Sequence, residues 1–239
     1  MIRAILACVH ANLPALEAVL EHARGEGATQ IVSLGDVVGF GGQPRECLKR
    51  LSSCEISILG NHEDALLNGR GTASGAMGES DEGIRAALTS PGFDPAELDD
   101  LWRVLGRMQP IVEDGDVMYT HGSPRLPTKE YVVPQDARDS EKMRGIFALV
   151  KRVCFIGHSH VPHLYLSDGT HQAPDWIGGE LHLASLGNRK ALVNVGSVGQ
   201  SRDGDPRASY VTFDGETIRW HRIEVHGSGE DPRVGAPRG

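Results

Sequence analysis

The chain is short of cysteine, of long apolar runs and of basic residues, and each shortage closes off a class of protein. Its four cysteines, Cys8, Cys47, Cys54 and Cys154, form no C-x-x-C pair and no dense framework. Reduced thiols are expected rather than a disulfide scaffold, with the cytoplasm as the default compartment. No apolar stretch approaches the roughly 20 residues of a membrane-spanning helix, so no membrane association is expected. The segment from Met1 to Val9 is too short for a charged n-region ahead of an apolar h-region. Ile5-Leu6-Ala7-Cys8 is similar to a lipoprotein cleavage box but has too little chain before it. Lys and Arg number 24 against 32 Asp and Glu, a formal net charge of −8. That balance argues against a broad nucleic-acid-binding face, which needs clustered cations to displace counterions.

What is present is enough chain for a sizeable core. The 239 residues read as one domain over 1–225, followed by a loosely ordered Gly-, Pro- and charge-rich tail over 226–239. Ile2 to Ala7 reads as a buried strand, and Asn12 offers an N-cap for a helix with Leu13, Leu16, Val19, Leu20 and Ala23 on one face. Ile31 to Leu34 and Glu55 to Leu59 read as strands with a helix, Pro44 to Leu51, between them, an alternation that implies parallel pairing. Gly69 to Gly83 has little to bury and reads as a surface excursion, in the position of a lid. Further helices are expected over Asp94 to Leu105 and Asp136 to Val150, and short strands over Val117 to Thr120 and Val153 to Ile156. The last third, with strand-like segments at Leu164 to Leu166, Glu180 to Ala184, Ala191 to Val195, Ser209 to Phe213 and Thr217 to Ile223, predicts a mostly antiparallel sheet.

Chemistry-bearing residues stand just after the predicted strand ends: Cys8-Val9-His10, Gly35-Asp36, Gly60-Asn61-His62-Glu63, Thr120-His121-Gly122 and Gly157-His158-Ser159-His160. Loops at one sheet edge are where open α/β folds gather their ligands. Two divalent ions close together need a bridging carboxylate with imidazole and carbonyl ligands around it. Asp36 is placed for the bridge, Asn61 offers an amide oxygen, and His10, His121, His158 and His160 offer ring nitrogens. Such a mixture suits Mn, Fe, Zn or Ni more than Mg or Ca. Singly, a histidine after a strand is more often a hydrogen-bonded structural residue, and Gly-Asp is a common turn; together they point to a site because all of them fall at strand exits. His163, His171, His182, His221 and His226 lack that placement and read as structural or solvated. Ser123, Ser159 and Ser197 sit in no G-x-S-x-G elbow, which argues against a Ser-His-Asp hydrolase. A metallo-β-lactamase-type hydrolase would want an H-x-H-x-D-H run that the sequence lacks.

In this ordered set the chain resembles the calcineurin-like metallophosphoesterase superfamily, whose pattern is D-x-H, G-D-x-x-G, G-N-H-[D/E], a later H and G-H-x-H. Gly35-Asp36-Val37-Val38-Gly39 and the motifs above match it in order across nearly the whole chain. Asn12-Leu13-Pro14-Ala15-Leu16, Gly39-Phe40-Gly41, Tyr119 to Pro124 and Asn194 to Gln200 are similar to its small bacterial and archaeal phosphodiesterase branch. The resemblance implies a four-layer α/β/β/α sandwich of two mixed sheets flanked by helices. It implies one metal on position 8, His10, Asp36 and His160, and a second on Asp36, Asn61, His121 and His158. His62 would face the scissile phosphate as proton donor or charge stabiliser, with Glu63 orienting its ring. The implied activity is hydrolysis of a small phosphorylated substrate, a diester or a monoester, by a water that two metals activate.

One position departs from the pattern, because Cys8 stands where the family has aspartate. A thiolate carries the same charge, and its metal bond of about 2.3 Å against about 2.0 to 2.2 Å for oxygen partly offsets the shorter side chain. Ligation would favour Zn or Fe over Mn and expose the site to oxidation. The other reading is a small buried residue that leaves the first metal weak and the protein a phosphate-ligand-binding or regulatory relative. Arg202 and Arg207, in Ser201 to Arg207, could fork onto a phosphate or form salt bridges in an exposed turn.

Overall fold

The computed structural model describes residues 1–68, 85–86, 88–89, 94–174 and 179–225. The expected lid segment, Gly69 to Gly83, and the tail over 226–239, His226 included, lie outside the described residues. The first strand, β1 (Arg3–Leu6), sets the layering by the alternation of its side chains. Ala4 and Leu6 pack toward helices, while Ile5, with Ala7 just beyond, packs toward a second sheet. A strand covered on both faces reads as a continuous apolar run, as this one does.

The chain continues through α1 (Leu13–Gly25), β2 (Gln30–Ser33), α2 (Pro44–Arg50), β3 (Ile56–Ser57) and α3 (Asn61–Asn68). Then come α4 (Pro95–Gly106), β4 (Ile111–Asp114), β5 (Val117–Thr120), α5 (Ser140–Leu149) and β6 (Val153–Ile156). The remaining strands are β7 (His163–Leu166), β8 (His171–Gln172), β9 (Glu180–His182), β10 (Ala191–Asn194), β11 (Ala208–Phe213) and β12 (Thr217–Ile223). They form two six-stranded sheets, β3-β2-β1-β11-β12-β9 and β4-β5-β6-β10-β7-β8. Within the first, β1, β2 and β3 run parallel; within the second, β5, β6 and β10 do.

Leu16, Val19 and Ala23 of α1 and Leu48 of α2 pack with Leu101 and Leu105 of α4 on the outer face of the first sheet. Between the sheets lie Ile5, Val32, Tyr119, Phe155, Val193, Val211 and their neighbours. On the outer face of the second sheet, Ile146 and Phe147 of α5 cover Cys154, Ile156 and Leu192. The result is the expected α/β/β/α sandwich. The α1 start is fixed as the sequence foresaw, Asn12 Oδ1 accepting a hydrogen bond from Ala15 N at 3.2 Å with Pro14 in the first turn.

Three expectations change. The strands of the last third do not form one antiparallel sheet: β9, β11 and β12 extend the first, and β7, β8 and β10 complete the second, with β10 parallel to β6. Their hydrophobic patterns carry no information on which sheet they join. The helix expected over Asp136 to Val150 is interrupted, because the Asp139 carboxylate accepts from Lys142 N at 2.9 Å and starts α5 afresh behind a 3-10 turn, Pro134–Arg138. Gly60-Asn61-His62-Glu63 does not sit in a loop either; Asn61 opens α3.

Candidate metal centre

Both parallel trios present the same edge, so the chain segments leaving β1, β2, β3, β5 and β6 converge there. They do so in a costly conformation. The positive-φ non-glycine residues among those described are Cys8, His10, Ala11, Asp36, His158 and His160, with φ between 49° and 64°. The left-handed region costs an L-residue roughly 1 to 2 kcal/mol, and such residues gather at functional sites. Cross-loop hydrogen bonds hold them: Cys8 N to Gly35 O at 3.0 Å, His10 N to Asp36 O at 2.9 Å, and Gly199 N to Cys8 O at 2.9 Å. Asn194 Nδ2 donates to Gly157 O and Ser159 Oγ, both at 2.9 Å, clamping the turn that carries His158 and His160.

Cys8, His10, Asp36 and His160 form one buried group whose ligand atoms lie within 4.8 Å of one another; Asp36, His121 and His158 form a second under the same limit. Asn61 joins the second, its Oδ1 3.1 Å from His121 Nε2. His121 Nδ1 faces the Leu34 carbonyl at 2.7 Å, which accepts its proton and leaves Nε2 with a lone pair. That nitrogen then faces Asp36 Oδ2 at 3.2 Å and His158 Nδ1 at 3.0 Å as well as Asn61 Oδ1. His160 repeats the logic, with Nδ1 on Gln200 O at 2.6 Å and Nε2 facing His10 Nε2 at 2.9 Å. Acceptors gathered around a point this way fit a cation at that point.

The charge of the group centres on Asp36. Burial would raise the Asp36 pKa, but the rings of His121 and then His10 hold it well below the usual carboxylate range. Burial works against charging His121, yet Asp36 and the Leu34 carbonyl outweigh it and its pKa rises. Burial and the neighbouring His121 ring bring His158 down to about 3, and burial with Arg202 does the same to His160, so both rings are neutral donors near neutral pH. Cys8 is pushed well above its ordinary value by burial and then by Asp36, while its Sγ accepts a hydrogen bond from His158 N at 3.3 Å.

Glu63 has a task that the sequence did not show. Its Oε2 accepts from Asp36 N at 2.8 Å and Gly60 N at 3.1 Å, and its Oε1 from Val38 N at 3.0 Å. The carboxylate holds the backbone that carries Asp36. Burial and then Asp36 raise its pKa. Gly60 must be glycine, since a Cβ there would collide with Asp36 and Glu63. His62 is linked to the bridge through its backbone, His62 N donating to Asp36 Oδ1 at 3.1 Å.

Arg202 is exposed, its N donating to His160 O at 3.3 Å and its guanidinium reaching Gln200 Oε1 at 3.5 Å. Arg207 is occupied with Asp205, Nε to Oδ1 at 3.0 Å and Nη2 to Oδ2 at 2.6 Å, which lowers Asp205 to about 2. The remaining described histidines have partners away from the edge: His22 with Tyr210 OH at 2.8 Å, His163 with His171 at 3.0 Å, His182 with Thr217 Oγ1 at 3.0 Å, and His221 with Thr212 Oγ1 at 2.8 Å. Two side chains that the sequence did not single out flank the centre. Phe40 stands 5.0 Å from the His10 ring and 5.1 Å from His62, and Tyr131 stacks on His158 at 3.7 Å. Phe40 lies in Gly39-Phe40-Gly41, a signal that was present without a role; nothing in the spacing marks Tyr131.

A mixed two-sheet sandwich with clustered metal ligands at one edge defines a class, and the comparisons name it. The calcineurin-like phosphoesterase superfamily domain matches residues 1–217, and the chain belongs to that family. A metallophosphoesterase structure from Sphaerobacter thermophilus is 32% identical with a TM-score of 0.74, covering 94% of this chain and 89% of that one. An uncharacterised protein of Methanocaldococcus jannaschii is 29% identical over 228 residues, 93% of this chain and 86% of that protein. A hypothetical protein from Pyrococcus horikoshii OT3, 17% identical with a TM-score of 0.58 over 94% of this chain and 88% of that one, shares the fold. The family and its structural neighbours make the chain a phosphoesterase. No helix of the described residues is long and apolar enough to cross a membrane.

Proposed function

We propose that the chain hydrolyses a phosphodiester or a small phosphate monoester with two divalent transition-metal ions, one on Cys8, His10, Asp36 and His160 and one on Asp36, Asn61, His121 and His158. The observation that carries this reading is that the Asp36 carboxylate belongs to both ligand groups. Bound there, Mn, Fe, Zn or Ni would supply charge neutralisation for the phosphoryl oxygens and a water of lowered pKa. The chain's own part is to hold the phosphate and manage a proton. His62, anchored at Asp36 Oδ1 through its N–H, serves as proton donor or charge stabiliser toward the leaving oxygen. Arg202, whose charge reaches both Cys8 and His160, anchors a phosphate oxygen. Arg207, occupied with Asp205, is not proposed for that role.

The protein should hydrolyse bis-p-nitrophenyl phosphate, gain rate with Mn²⁺ and lose it to a chelator. Activity that survives chelation with metal absence confirmed would overturn the reading. A second reading, a weakened relative that binds phosphate ligands without efficient turnover, draws on the raised pKa of the Cys8 thiol, which opposes the thiolate form.

A further inference from the structure

The described residues include just two exposed aromatic side chains, Phe40 at 44% and Tyr131 at 41%, and both lie against histidines of the metal centre. They divide between the two ligand groups. Phe40 tilts over His10 and meets His62 edge-on, whereas Tyr131 lies nearly parallel to His158, at 23°. An aromatic ring left in water is an apolar surface awaiting a partner.

The backbone beside each ring is tied down. Gly41 N donates to His10 O at 2.8 Å, and a Cβ on Gly41 would collide with the carbonyls of His10 and Ala11, so the Phe40 segment is packed flat on the first ligand turn. A Cβ on Gly39, which has a φ of 150°, would collide with the His10 ring. Tyr131 O accepts from Lys142 Nζ at 2.8 Å, and the adjacent Val132 is buried against α5. Rings carried on a held backbone lose less entropy when a flat ligand stacks on them than rings on a mobile loop would.

We propose that Phe40 and Tyr131 are stacking platforms that select phosphodiesters with planar rings on their ester groups, as in aryl diesters and dinucleotides, one platform for each side of the phosphorus. The proposal rests on the phosphoesterase reading for its phosphate. Stacking a base on an aromatic side chain is sequence-tolerant and typically changes affinity on the order of 10-fold per ring. The alternative is that the rings only shield the ligand histidines.

Calorimetric binding of diphenyl phosphate and dimethyl phosphate to the metal-loaded protein decides between these. Wild type should prefer the diphenyl ester, and Phe40→Leu or Tyr131→Leu should each reduce the ratio of the two affinities about 10-fold. Phe40→Trp and Tyr131→Phe, which keep a ring, should keep the ratio. A ratio unmoved by the leucine variants, or lowered as much by the ring-keeping ones, would overturn the proposal. Turnover of bis-p-nitrophenyl phosphate in the same preparations tests the parent reading separately: a protein that binds with the expected ratios but does not hydrolyse the diester keeps the platforms and loses the proposed diester hydrolysis.

Discussion

Around the shared Asp36, the two ligand groups differ in compactness and in chemistry. Asn61, His121 and His158 are drawn together, with three neighbours 3.0 to 3.2 Å from His121 Nε2 and the ring braced by the Leu34 carbonyl. Across the carboxylate, His10 Nε2 stands 3.8 Å from Asp36 Oδ2, and the fourth member is sulfur. The backbone is not the source of the difference, since Cys8, His10, Asp36, His158 and His160 all adopt the same left-handed conformation. A turn can be conserved in shape while one atom at its tip changes from hard to soft, and metal preference follows the atom.

The largest effect should come from removing what the groups share. Asp36→Ala is expected to empty both and lower activity by more than about 100-fold, since loss of even outer partners of a ligand typically costs about 10- to 100-fold. His62→Ala should instead retain the ions while turnover falls about 10²- to 10⁴-fold, the usual contribution of a general acid. Metal analysis and kcat on the two variants separate these, and ion loss in the His62 variant would remove it from the role assigned above.

Next comes the support common to both groups. Glu63→Ala strips the acceptor from three buried amides, those of Asp36, Val38 and Gly60. The expected loss is about 3 kcal/mol, as each buried donor left unsatisfied costs about 1 to 3 kcal/mol. Denaturant midpoints should show it. If Glu63 acted only on the His62 ring, stability would hold and rate alone would fall.

The comparison between the groups is sharpest at Cys8. In the zinc-loaded protein, X-ray absorption should find a sulfur scatterer at about 2.3 Å, absent from Cys8→Ala and Cys8→Asp. Cys8→Asp should shift preference toward Mn²⁺ and strengthen the first site, and mild peroxide should inactivate wild type but spare the aspartate variant. An aspartate variant with no gain in metal or rate would mean that sulfur is no handicap here.

The smallest effect tests a histidine outside both groups. Burial and then His171 bring His163 to about 4 in the folded protein, against about 6.5 unfolded. The stability it contributes is therefore complete above about pH 6.5 and lost as pH falls toward about 4, on the order of 1 to 2 kcal/mol. Denaturation across that range should be flatter in His163→Gln than in wild type; equal slopes would assign the acid sensitivity to other groups.

Much of the site was legible because strand exits and ligand residue types are written locally. The short apolar runs ending at His121 and at Gly157 lead into the edge as read, and Asp36 follows β2 at the position expected for a shared ligand. That Glu63 braces the backbone amides of residues 36 and 38 was not legible, because they come close to it only when β2 and α3 meet. Every residue has an amide, so no side-chain pattern announces which ones will need an acceptor.

By itself the sequence determined the alternation of buried strands with capped helices, the order of the ligand motifs and the departure at Cys8, because periodicity, capping and residue chemistry act within a few positions. The tertiary structure decided which sheet each late strand joined, since β10 pairs parallel to β6 and antiparallel to β7, and an apolar strand buried on both faces suits either neighbour. It also decided that Phe40 and Tyr131, 91 positions apart by their numbers, would flank one centre. That meeting depends on two loops closing over long separations, where the determining energy is spread through the packed core rather than held in the residues that meet.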